Sequence, residues 1–338
     1  MSTKSAVFGG TPINIIITGA TGFIGSHAAE EAHRRGLRVT CLVRPNRRDP
    51  GWVRKLPVEI RAVDHTDPRA LAPLLLEADY ILHVAGVTKA RTREEYRRGN
   101  VDSTTSLLEA ALHAPRLKKF CFVSSLTVAG PSIDGTPVND ASPPAPITEY
   151  GRSKQEAEEV CRRYTGRLPI VVVRPPAVYG PRDRDILEMF RWIKRGLAPI
   201  VGSREKTLSL IHAADLGSAL LTALESANTA GKTYHVSDGI IHHYTELLEI
   251  SADLLQAHPL TLSIPDPFVY ASAALAQGFS TLLGKPAVLN IEKVKDLLAP
   301  HWVCDGSRFV RETGFKPRIG IQEGLASTLE WYRTNGWL

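Results

Sequence analysis

The sequence predicts an α/β protein, a Rossmann-type doubly wound parallel sheet of about seven strands with a smaller C-terminal lobe. Two observations carry this. Short apolar runs alternate with helical patterns through the first half of the 338 residues, as strands buried on both faces and their crossover helices do. The first run leads through Thr18-Gly19-Ala20-Thr21-Gly22-Phe23-Ile24-Gly25 straight into a helix. Glycines there let a backbone approach a pyrophosphate, and a helix start offers unpaired N–H groups and a positive dipole end to it. Gly19, Thr21, Gly22, Phe23, Ile24 and Gly25 are therefore candidate cofactor-binding residues. The glycine spacing is G-x-x-G-x-x-G rather than the commoner G-x-G-x-x-G.

In chain order, strands are expected at 13–18, 37–43, 58–63, 80–84, 119–124 and 169–174, with a seventh at 233–236. Helices are expected at 26–35, 68–76, 94–113 and 148–164. After Gly180 the pattern changes to helices at 183–195 and 213–226, a strand at 208–211, a proline-bounded apolar stretch at 265–286 and a last helix at 321–334. This gives a dinucleotide-binding domain at 11–180, joined by 230–240 returning to its sheet, and a substrate lobe at 181–229 and 241–338.

Composition narrows the function classes. The net charge of +6 is scattered, which argues for an anionic small ligand and against nucleic acid. No stretch reads as a transmembrane segment, and the first ten residues lack an apolar signal core. The four cysteines form no C-x-x-C pair and read as buried thiols, so a cytoplasmic protein is expected. His27, His113, His242 and His243 show no metal spacing, and no metal site is expected; the His242-His243 pair reads as part of a loop.

Three further constellations carry chemistry. The second strand ends in Arg44-Pro45-Asn46-Arg47-Arg48, with no acid where one would hold the adenosine ribose hydroxyls. Arginine forks suit a phosphate dianion, so Arg44, with Arg47, predicts the 2′-phosphate of NADP; the alternative is a solvated loop with NAD bound. Asp64 and His65 follow the third strand, either at an adenine edge or as a plain turn. Tyr150 and Lys154 stand at i and i+4 near a helix start, on one face, where an ammonium favours the phenolate. Ser124 and Ser125 end the fifth strand, at the sheet edge where such folds bind ligands, and a serine there can hydrogen-bond a substrate oxygen.

Together these resemble the extended branch of the short-chain dehydrogenase/reductase superfamily, the NAD-dependent epimerase/dehydratase-like enzymes, with a pattern nearest to dihydroflavonol reductases and 3β-hydroxysteroid dehydrogenases. The likeness rests on T-G-A-T-G-F-I-G, His83-Val-Ala-Gly86, Asn100-Val-Asp-Ser-Thr104, Arg174-Pro-Pro-Ala-Val-Tyr-Gly-Pro181 and Ile211-His-Ala-Ala-Asp215. It implies an oxidoreductase in which Tyr150 exchanges the proton, Lys154 binds the nicotinamide ribose and biases Tyr150, and Ser125 orients the substrate oxygen. Ser125 takes that role because it lies 25 residues before Tyr150, the family's spacing. The likeness also implies cofactor contacts at Ala85, Gly86, Asn100, Tyr150, Lys154, Pro175 and Val178, and a homodimer through the helices at 94–113 and 152–164.

Departures from the family pattern sharpen the reading. Leu126-Thr127 stand where sugar-nucleotide dehydratases carry Asp-Glu, and Leu208 where epimerases commonly hold a diphosphate with Arg. Arg182, Arg184, Arg204 or Lys206 would have to substitute, or else form a solvated basic face. The stretch 265–289, with Phe268, Val269, Tyr270, Leu275, Phe279, Leu282 and Leu283, reads as a pocket wall, a membrane-facing surface or ordinary lobe packing. The expectation is hydride transfer at a secondary alcohol or ketone of a small or moderately apolar substrate. A nucleotide-sugar epimerase and a non-catalytic dinucleotide sensor are the alternatives.

Overall fold

The structure is a computed structural model and describes residues 12–45, 49–202, 205–282 and 291–338. Arg47, Arg204 and Leu283, and the side chains of Phe279 and Leu282, lie outside the described residues.

The first half alternates β1 (Asn14–Thr18), α1 (Phe23–Arg34), β2 (Arg38–Val43), β3 (Glu59–Ala62), α2 (Pro68–Leu75), β4 (Tyr80–His83), α3 (Arg93–Tyr96), α4 (Ser103–Ala111), β5 (Lys119–Val123), α5 (Glu149–Tyr164) and β6 (Ile170–Arg174). Then come β7 (Ala177–Tyr179), α6 (Arg184–Lys194), β8 (Leu197–Val201), β9 (Thr207–His212), α7 (Ala213–Glu225), β10 (Thr233–His235), β11 (Ile241–His243), α8 (Tyr244–Leu255) and β12 (Leu260–Ile264). The chain closes with α9 (Asp266–Leu282), α10 (Ile291–Leu298), β13 (His301–Trp302), α11 (Ser307–Thr313) and α12 (Ile321–Thr334).

Seven strands form one parallel sheet in the order β10-β6-β5-β4-β1-β2-β3. Its apolar runs follow from the pleat, because successive side chains point to opposite faces. Ile15 and Ile17 of β1 enter one core, packed on α1 and α7; Ile16 enters the other, with Ile81, Phe120 and Phe122 beneath α2, α4 and α5. A fully buried Ile or Phe contributes about 1.5–3 kcal/mol. At the edge, β3 exposes Arg61, a charge of the kind that discourages edge-to-edge pairing.

Several boundaries differ from the sequence reading. The helix expected at 94–113 is broken into α3, a π-helical segment Arg97–Asp102 and α4. The 213–226 helix, assigned by sequence to the substrate lobe, is α7; Leu216, Leu220 and Leu224 place it in the main core beside Ile15. Phe309 of α11 and Phe315 join the same core. The proline-bounded stretch is largely helix α9. His242 is not in a loop: β11 pairs antiparallel with β9 and holds the buried imidazole between Asp238 (2.7 Å) and Glu246 (3.3 Å), which raise its pKa against the burial. What remains of the lobe has its own core around Tyr179, Phe190, Leu329 and Tyr332.

Candidate active site

The turn after β1 closes because Gly19 takes a positive φ of 75° and its amide neighbourhood leaves no room: a Cβ there would lie 2.5 Å from the Ala85 nitrogen. A Cβ on Gly25 would lie 2.2 Å from the Gly19 carbonyl oxygen. Helix α1 thus starts hard against the turn, with Gly22 as its N-cap and no side chain capping its first amides. The turn forms the floor of a cleft of about 960 Å³.

That cleft is lined by Gly19, Thr21, Gly22, Phe23, Ile24, Gly25, Arg44, Asp64, His65, Ala85 and Gly86, all expected from the sequence. Sequence reasoning missed Leu42, Val43, Thr66, Val87, Thr88, Glu95, Arg98, Gly99 and Ser103. Leu42 and Val43 follow from the strand that ends in Arg44. Arg98 and Gly99 were hidden because the π-helical turn shifts the register, which no 3.6-residue pattern reveals. Asp64 accepts from the amide and hydroxyl of Thr66, so its carboxylate braces a turn while bordering the cleft. His65 is buried beside it, and burial lowers its pKa. Its Nε2 has no hydrogen-bond partner among the described residues. A glycine floor, free helix-start amides, a cation at one end and an unsatisfied ring nitrogen fit a dinucleotide.

Behind this cleft lies a wired wall. Thr18 Oγ1 and His83 Nδ1 are 2.6 Å apart, and His83 Nε2 and Thr104 Oγ1 2.9 Å. The Thr104 hydroxyl donates to the Asn100 carbonyl, and Thr18 Oγ1 accepts from the Ala85 amide. The consistent tautomer has Nε2–H donating and Nδ1 accepting, a neutral ring, and complete burial holds the His83 pKa well below its usual value. Asn100 is placed behind the cleft rather than in its lining: its Oδ1 accepts from Val87 N (2.7 Å) while Nδ2 donates to Val87 O (3.0 Å) and Ser153 Oγ (2.8 Å). Ser153 in turn donates to the Tyr150 carbonyl. Asn100 therefore ties the β4 loop to the first turn of α5.

Thr148 caps α5, accepting from Gly151 N, and sets Tyr150 and Lys154 on one inward face. Lys154 Nζ donates to the Val123 carbonyl (2.7 Å) and lies 4.6 Å from the Phe122 ring centroid. Burial brings its pKa down to about 8. For Tyr150 the sequence led to an expectation of a lowered pKa; instead burial pushes it up to about 12, opposed by a hydrogen bond with Ser125 and reinforced by Asp296 and Tyr96. Desolvation outweighs the help of Ser125, and the nearby Asp296 and Tyr96 act in the same direction as the burial.

Ser124 and Ser125 part company at the end of β5. Ser124 donates to Glu158 (2.5 Å), which also pairs with Arg174 through two bonds of 2.8 and 2.6 Å, all buried. Ser125 instead caps a 3-10 turn, accepting from Thr127 N, and reaches Tyr150. Pro175 and Val178 do not line the cleft: the Pro175 carbonyl accepts from Leu126 N, and Val178 pairs with Ile211 across β7 and β9.

Three of the four candidate phosphate anchors, Arg182, Lys206 and Arg184, have partners of their own. Arg182 donates to Glu30 (2.5 Å) and His27, with its guanidinium 5.0 Å from the Trp52 ring. Lys206 donates to the Leu297 carbonyl. Arg184 sits 5.9 Å from the Trp337 ring.

Fold and cleft define a dinucleotide-dependent enzyme of the doubly wound α/β class. The family model for the NAD dependent epimerase/dehydratase family matches residues 15–237, and the chain belongs to that family. It is 33% identical over 326 residues to a ceramide reductase of Caulobacter vibrioides, covering 96% of both chains. It is 27% identical to 4-hydroxy-2-methyl-3-oxo-4-farnesyl-3,4-dihydroquinoline-1-oxide ketoreductase of Stigmatella aurantiaca, covering 91% of this chain and 93% of that one. Its fold matches the UDP-glucose 4-epimerase of Thermotoga maritima solved with UDP-glucose, with a TM-score of 0.78 at 20% identity over 96% of this chain and 99% of that one. The protein is an NAD(P)-dependent enzyme of the extended short-chain dehydrogenase/reductase type acting on a small-molecule substrate. Among the described residues no helix is long and apolar enough to cross a membrane.

Proposed function

We propose that the protein is a reductase that prefers NADP and acts at a ketone or secondary alcohol of an apolar, lipid-like substrate. The observation that carries this is the placement of Ser125 at the end of β5, one residue beyond the serine that is locked to Glu158, where it lowers the Tyr150 pKa against the burial. The nicotinamide, when bound, supplies or accepts the hydride. Tyr150 donates its hydroxyl proton to the forming alkoxide in the reducing direction, and Ser125 holds that oxygen. Lys154, whose ammonium donates to the Val123 carbonyl, holds the ribose and lowers the cost of the phenolate.

NADP is favoured because Arg44 borders the cleft at the end of β2, where no carboxylate stands. A lipid-like substrate is favoured by the ceramide and farnesyl-quinoline relatives and by the engagement of Arg182, Lys206 and Arg184 with partners of their own. That engagement weighs against a nucleotide-sugar diphosphate, and Leu126-Thr127 against elimination. Four buried free cysteines agree with a cytoplasmic protein. A homodimer through α5 would use its charged outer face, since α4 is nearly all buried within the chain.

The test is NADPH consumption with a long-chain ketone. Tyr150→Phe should lower turnover by about 100-fold or more and leave NADPH binding intact. Epimerisation of a nucleotide sugar with no net NADPH consumption would sink the reading.

A further inference from the structure

The outer wall of the C-terminal lobe is apolar where a soluble surface would be polar. Over 266–276 of α9, only Val269 and Ala273 are buried, packed on Val294 of α10. Phe268 and Leu275, seven residues apart and so on one line of the helix, are 69% and 66% exposed. Strand β12, which leads directly into α9, adds Leu260 at 68% and Leu262 at 48%. Single exposed apolar residues need no explanation, but a run of large ones along one contiguous segment does.

The patch has a cationic border. Leu260 N donates to the Gly196 carbonyl, which brings β12 beside the end of α6. There Arg191, Lys194 and Arg195 line a cleft of about 410 Å³ with Trp337. Glu188 pairs with Arg191 and the Leu338 oxygen accepts from Lys194, so the cations still outnumber the carboxylate side chain beside them. The Arg195 guanidinium lies 5.8 Å from the ring of Trp192, itself 42% exposed. Apolar and aromatic side chains flanked by Lys and Arg are what a bilayer interface selects: the rings and aliphatic chains enter the acyl boundary while the cations meet anionic headgroups.

We propose that this face, β12 and the outer side of α9 bordered by the end of α6, docks the enzyme on a bilayer surface containing anionic phospholipid. The position suits a lipid-like substrate. The inner face of α9 rests on α10, and Asp296 of α10 acts electrostatically on Tyr150. Docking here brings the membrane within about two helix layers of the proposed acid–base tyrosine.

Co-sedimentation with phosphatidylcholine vesicles, with and without phosphatidylglycerol, tests it without any substrate, so its outcome is independent of the reductase assignment. The whole protein should bind the anionic vesicles and be released by high salt. The double variant Phe268→Asp/Leu275→Asp and the charge reversal Lys194→Glu/Arg195→Glu should each lower binding at least about tenfold. Leu76→Asp, at an exposed position at the end of α2, should bind as the parent does. No binding by the parent, or equal binding by all variants whose circular dichroism matches it, overturns the proposal. So does a doubled light-scattering mass that the α9 variant abolishes without vesicle binding, since the patch would then be a contact between two copies.

Discussion

The dinucleotide half and the C-terminal lobe solve opposite problems with the same chain. Around the cleft, polar side chains behind the wall are tied to one another: His83 joins Thr18 to Thr104, Asn100 joins Val87 to Ser153, and Glu158 joins Ser124 to Arg174. In the lobe, β12 and α9 turn Leu260, Phe268 and Leu275 outward instead. The first region is built to hold one ligand in one geometry. The second leaves its apolar groups available to whatever it meets. A buried network tolerates little change, because each lost partner leaves another group unsatisfied.

The largest effect should come from Gly25→Ala. Its Cβ would collide with backbone at 2.2 Å, and nothing there is a flexible side chain. We expect a loss of several kcal/mol of stability, in the upper range for overpacking, together with loss of NADPH binding. Thermal unfolding with and without NADPH measures both; a melting temperature near the parent's would show that the glycine floor is less rigid than described.

A smaller effect is expected at the cleft's exposed rim. Arg44→Ala should weaken NADPH by about tenfold, the worth of one charged hydrogen bond, and leave NADH nearly unchanged. Equal losses for both dinucleotides would move the 2′-phosphate away from Arg44. This variant sharpens the contrast, since it changes ligand choice without touching the buried wiring.

The smallest effect belongs to the lobe. Asp183 caps α6 through Asp185 N and Ile186 N, yet burial raises its pKa to about 7. With the folded value above the unfolded one near 3.9, the fold favours the protonated acid. Stability from this group is full at low pH and is lost as pH rises toward and through about 7. Asp183→Asn keeps a good cap without the charge. It should match the parent in urea at about pH 4 and exceed it at about pH 8. An unchanged difference at the two pH values would mean that Asp183 is not kept from ionising.

Much of the dinucleotide half was legible because burial on both faces imposes long apolar runs, and because glycines forced by collisions stand out as letters. The strands from Asn14 to Arg174 and the floor from Gly19 to Gly25 were found this way. Asn100 was expected at the cofactor, and the structure ties its side chain to Val87 and Ser153: a motif marks a position, and only the fold tells what the side chain faces. The direction of the Tyr150 shift was missed because spacing reveals a neighbouring ammonium but not the depth of burial. The α9 stretch stayed ambiguous for a related reason. An apolar helix reads the same whether its second face meets a core or nothing at all.

One consequence of the π-helical turn at Arg97–Asp102 concerns chain length. The widened coil accommodates one residue more than a regular α-helix would over the same rise. Deleting a single residue from it would let the backbone relax to the ordinary winding and swing Asn100 by roughly 100° about the axis. The bridge from Val87 to Ser153 would open, although every side chain that makes it would still be present in the sequence. At this place, the count of residues matters as much as their identity.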